Sequence, residues 1–76
     1  MIDLDRIRTE LQNAIKLSPK SQTELAKLIG VKQQTIAQYL SGRALPALDT
    51  FANLCAVLDL DANEILCVSD YSRSAL

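Results

Sequence analysis

A single glycine between two apolar stripes constrains this chain more than any other feature. In the stretch from Ser21 to Gly42, SQTELAKLIGVKQQTIAQYLSG, Leu25, Ala26 and Ile29 form the stripe of one helix, and Ile36, Tyr39 and Leu40 form that of a second. Gly30 stands between them. It adopts positive φ without a Cβ penalty, so the second helix is predicted to leave at a steep angle instead of continuing the first. Two short helices joined in this way make a helix-turn-helix unit.

The flanking sequence supplies a core for that unit. Leu4, Ile7, Leu11, Ala14 and Ile15 hold a 3.6-residue stripe after Asp3 and Asp5, which predicts a first helix from about Leu4 to Leu17, stopped by Ser18 and Pro19. Ser21 and Glu24 form an S-x-x-E capping box and set the second helix start near Gln22. The third helix has a weaker start, because Lys32 offers no acceptor to the helix backbone. Pro46 leads into a fourth helix with the stripe Leu48, Phe51, Leu54, Cys55 and Leu58. Asp61 and Glu64 cap a short fifth helix, about Ala62 to Cys67. No period continues through VSDYSRSAL, residues 68 to 76, which reads as either a frayed tail or a segment held by a partner.

With 76 residues the chain is one domain, burying only about 60 to 65% of its unfolded surface. A hydrophobic content of 49% and little β-type alternation favour an all-helical fold over disorder or sheet. No apolar run reaches membrane-spanning length and no secretion signal follows Met1, so a cytoplasmic location is expected. Cys55 and Cys67, with no histidine in the chain, are too few ligands for a structural zinc site, and Cys55 falls on an apolar stripe as a core residue.

A net charge of -1 argues against nucleic acid, but its distribution argues for it. Between residues 16 and 43, Lys16, Lys20, Lys27, Lys32 and Arg43 oppose Glu24 alone, a balance of +4, while the rest of the chain carries -5. Scatter in a short sequence produces such contrasts; here the contrast coincides with an independently found motif. A positive face centred on that motif suits phosphate docking.

The spacing of Leu25, Ala26, Gly30, Val31, Ile36 and Tyr39 resembles the helix-turn-helix of the Cro and CI repressor family, also called the XRE family. Gln22 together with Lys32, Gln33, Gln34, Thr35, Ile36, Ala37 and Gln38 is similar to the glutamine-rich recognition helix of certain lambdoid phage repressors. The resemblance continues through Pro46, Leu48, Leu54, Leu58 and Glu64 to Leu66. It implies a compact five-helix, lambda-repressor-like DNA-binding domain over residues 1 to 67, with the helix-turn-helix at 21 to 42. It also implies transcriptional regulation by repression at a double-stranded DNA operator. The chain departs from the family at Lys32 and Ala47, where caps are usual, and at Asp59, where a helix-ending Gly or Asn is usual.

Glutamine suits base reading because its amide donates and accepts together and can pair with adenine N6 and N7. Gln33 and Gln34 lie in the first turn of the third helix, nearest the bases in this docking geometry, and Gln38 follows Gln34 at i+4. Thr35 and Ala37 flank them, facing thymine methyls or phosphates. Glutamine is also an ordinary helix-surface residue, so the assignment rests on three sharing one face. Gln22 and Lys32 are expected at phosphates, and Arg43 at the backbone or minor groove.

Tyr39 sits on the apolar stripe and reads as core, not as a base-stacking aromatic. Leu40 and Leu45 read as a lid on that core. No histidine and no glycine-rich phosphate loop support an enzyme, and no cofactor or small-molecule ligand is inferred. Members of the resembling family commonly pair on DNA, so a homodimer is expected at least in the bound state, with Ile65, Val68 and Tyr71 as candidate contacts. The competing reading is a protein-interaction module, antitoxin-like for example, that uses the same fold without reading bases.

Overall fold

The computed structural model describes residues 1 to 69, which form five helices: α1 Leu4–Leu17, α2 Gln22–Ile29, α3 Gln33–Ser41, α4 Leu48–Leu58 and α5 Ala62–Ile65. α2 packs on α3 and α4, while α1 packs on α3 and α5. Leu11, Leu25, Ile36 and Leu54, one from each of the four long helices, are the fully buried centre. Around them lie Ile15, Ala26, Ile29, Tyr39, Phe51 and Ile65. All but Ile65 come from the predicted apolar stripes of their helices, so amphipathic patterning accounts for most of the assembly. Leu40 and Leu45 pack partly buried against this cluster.

Local chemistry sets the helix ends. The Asp3 carboxylate accepts from the Asp5 N–H at 3.0 Å to open α1. At α2 the capping box is complete: Ser21 Oγ accepts from the Glu24 N–H at 3.1 Å, and Glu24 Oε1 accepts from the Ser21 N–H at 3.4 Å. Gly30 then turns left-handed with φ 78°, and both its N–H and that of Val31 reach the Ala26 carbonyl, at 2.9 and 3.0 Å. The left-handed turn ends α2 there and lets the chain leave it toward α3. Gly42 closes α3 with φ 80°. Asp59 closes α4 in the same left-handed region, φ 54°, which a short polar side chain tolerates better than most. Lys32 and Ala47 provide no side-chain cap to α3 and α4.

Several expectations are corrected. Leu4, expected on the core stripe of α1, is 51% exposed as the first residue of that helix. α5 ends at Ile65 rather than Cys67, because Cys67 turns left-handed with φ 63° and its N–H bonds to the Glu64 carbonyl at 3.1 Å. Cys67 is the buried thiol, 2% exposed, whereas Cys55 is only half-buried at the edge of the cluster. Leu48, expected on the core stripe of α4, is 85% exposed. It is the first residue of that helix, where the turn has not yet reached the body of the core.

Candidate nucleic-acid interface

The start of α2 and the outer face of α3 bring the predicted reading residues onto one surface. Ile36 and Tyr39 anchor α3 inward, and with about 100° between successive residues this turns Gln34 and Gln38 to the opposite, solvent side. Gln33, Gln34, Gln38, Lys32 and Arg43 are exposed, while Thr35 and Ala37 are half-buried at the margins of that face. Lys32 precedes α3 and Arg43 follows its terminal Gly42, so two cations bracket a helix about 13 Å long.

Gln22 and Gln33 meet across the turn. The Gln33 Nε2 donates to Gln22 Oε1 at 2.8 Å, joining the first residue of α2 to the first of α3. The sequence assigned Gln22 to phosphate positioning alone and did not anticipate this bond. The angle set at Gly30, which decides which side chains face each other, is the missing information. One Gln33 N–H is used, leaving its second N–H and its carbonyl oxygen for an outside partner. Gln22 keeps both of its own N–H donors.

Gly42 is fixed from two sides. Besides its positive φ, a Cβ there would lie 3.1 Å from Nε2 of Gln12 on α1, whereas a Cβ on Gly30 would meet nothing within 4 Å. The end of α3 is thus held directly against α1. Tyr39, buried behind the reading face, has its hydroxyl pKa raised above the ordinary 10.0 by burial and, secondarily, by the nearby Asp49 carboxylate. Burial and then Asp61 raise the Cys55 thiol above its ordinary 9.0.

The candidate dimer contacts are distributed differently from expectation. Ile65 is 7% exposed within the core cluster, because the short α5 turns it back against α1, so it has no surface to offer a partner. Val68 is exposed, and Tyr71 lies outside the described residues. Among the described residues no group of three metal-ligating side chains comes together, and no helix is long and apolar enough to cross a membrane.

The sequence pattern of the helix-turn-helix family matches residues 11–65. Among solved structures, the chain is similar to the solution structure of the SOS-response transcriptional repressor LexA from Eubacterium rectale, with 27% sequence identity and a TM-score of 0.71. The alignment covers 82% of this chain and 66% of that one, so the chain spans about two thirds of that relative's length. No curated protein matches the chain.

Proposed function

The chain belongs to the helix-turn-helix family of XRE type and is a DNA-binding regulator; on that premise we propose that it reads a specific double-stranded operator with α3 in the major groove and represses transcription there. The observation that carries this reading is the hydrogen bond between Gln33 and Gln22. A free glutamine amide rotates among many orientations, whereas one held by a neighbour meets the groove already aligned. The donor and acceptor left on Gln33 match adenine N7 and N6. Gln22, with its own donors unspent, suits the phosphate beside that base.

Gln34 and Gln38 extend the reading face, with Thr35 and Ala37 set to touch a thymine methyl or the sugar-phosphate edge. Lys32 and Arg43 neutralise phosphates on either side of the groove. A match to half-sites one helical turn apart calls for two copies, and the DNA-bound form is a homodimer. The structural neighbour is a transcriptional repressor, which supports repression as the outcome.

Selection of bound duplexes from a random pool, followed by a salt titration of the winner, tests the reading. The expected result is a recurrent half-site containing adenine, with log K falling steeply against log salt. A pool that never converges, together with a shallow slope, would instead favour the protein-interaction module.

A further inference from the structure

Beside the end of α3 lies a cation from the acidic part of the sequence, and we propose that Arg8 of α1 is a further DNA-backbone residue, held by Asp5 in the free chain and passed to a phosphate in the complex. The inference rests on the DNA reading proposed above and adds to it one residue and that residue's internal competitor. Arg8 lies outside residues 16 to 43, the stretch whose charge balance is positive. Folding brings it back to that stretch. A Cβ built on Gly42 would lie 3.9 Å from the Arg8 Cδ and 3.1 Å from the Gln12 Nε2, so α1 closes on the end of α3 where glycine leaves room. Arg43, exposed, is the next residue along the chain, about 3.8 Å from Gly42 between Cα atoms. Two arginines thus flank one glycine.

The hydrogen bonding of Arg8 is incomplete. Its Nη1 donates to Asp5 Oδ1 at 2.8 Å, one turn back on α1, while its Nε is buried and has no acceptor among the described residues. A buried donor without an acceptor is costly, so this position leaves binding capacity unspent. The tether is also weak, because the Asp5 side chain is 84% exposed and water competes for both charges. A phosphate offers two oxygens to the fork formed by Nε and a terminal nitrogen, whereas Asp5 engages Nη1 alone. Rotation about the outer bonds of the side chain exchanges the partners while Cδ stays beside Gly42.

Asp5 acts on DNA affinity without touching DNA. A phosphate has to displace its carboxylate from Arg8, so Asp5 lowers affinity for every sequence by the same factor. The contact carries no base information and leaves the choice of operator to α3. An i,i+3 ion pair on a helix surface is common, and one that only braces α1 leaves DNA binding unchanged when it is removed.

Titration of a selected duplex and an unrelated one across a range of salt concentrations tests the proposal, using Arg8→Ala, Asp5→Asn and the double variant. Arg8→Gln, which keeps part of the stem beside Gly42, reads the same contact with less risk to folding. Glu64→Gln removes the same charge as Asp5→Asn from an exposed position on α5 and is the control. Both Arg8 variants should weaken the two duplexes by the same factor and lower the salt slope by about one unit. Asp5→Asn should tighten binding about twofold to fivefold, as release of an exposed ion pair allows, and only where Arg8 is present. Glu64→Gln should have less effect. An unchanged salt slope in both Arg8 variants would overturn the proposal. So would parent affinity in Asp5→Asn, or equal tightening by Asp5→Asn with and without Arg8, which is the mark of a general field. A parent that binds the two duplexes alike would defeat the operator reading alone, with the slope still judging Arg8, and a parent that binds neither would defeat both.

Discussion

Gln33 donates to Gln22 at 2.8 Å, so the first side chain of α3 is held by the first side chain of α2. Under the proposed reading the pair works as a unit: Gln22 orients the amide of Gln33, and the plane of that amide sets which base edge it would meet. Reading and positioning therefore depend on one another, although Gln22 itself need not touch a base.

This coupling is measurable. Gln33→Ala should cost about 1 to 3 kcal/mol at the selected operator and relax preference at one base position. Gln22→Ala should weaken discrimination at that same position by releasing the Gln33 amide, and the double variant should lose less than the sum of the singles. Strictly additive losses in binding titrations would mean that the two side chains act separately on the DNA.

Lys32 exchanges helix stability for charge. It occupies the N-cap of α3 without capping it, so Lys32→Ser should stabilise the fold by about 1 kcal/mol while weakening binding to all sequences alike. The salt slope should fall by about one unit, as it should for Arg43→Ala. Urea denaturation and salt-dependent titration of the same samples report both halves. Altered base preference in either variant would contradict a phosphate role.

The two glycines should respond unequally to alanine. Both have positive φ, which costs an L-residue about 1 to 2 kcal/mol, but only at Gly42 does a Cβ also press on Gln12. Thermal melts should therefore rank Gly42→Ala below Gly30→Ala. Asp59→Gly should raise the melting point, because it relieves left-handed strain and removes a negative charge from the C-terminal end of α4. Equal melts for the two alanine variants would show that Gln12 yields freely.

Most of this architecture was legible because its determinants are local. The Ser21–Glu24 capping box needs only two residues three apart, and the left-handed exit at Gly30 needs only a missing Cβ. The stripe residues Leu25, Ile36 and Leu54 were found by period alone. What escaped depends on how elements meet. Periodicity placed Leu48 on the core side of α4, yet the core ends before that first turn. The left-handed turn of Cys67 is not a preference of cysteine; it accompanies burial of the side chain beside α5. The Gln22–Gln33 bond spans eleven residues and follows from the angle between α2 and α3, which no spacing rule supplies.

Alkaline pH offers a test of burial behind the reading face. The Tyr39 hydroxyl is raised above 10.0, first by burial and then by Asp49, so the folded state holds its proton more firmly than the unfolded chain does. Its contribution to stability is intact below pH 10.0 and is lost as pH rises from there through the folded pKa, where the unfolded chain has already released the proton. Cys55 acts in the same direction from 9.0 upward. Urea midpoints should therefore fall on going above these values. Tyr39→Phe should flatten the part of the fall above 10.0, and Cys55→Ala the part that begins at 9.0. A Tyr39→Phe variant whose midpoint falls as steeply as the parent's above 10.0 would show that the tyrosine hydroxyl reaches water as freely in the folded chain as in the unfolded one.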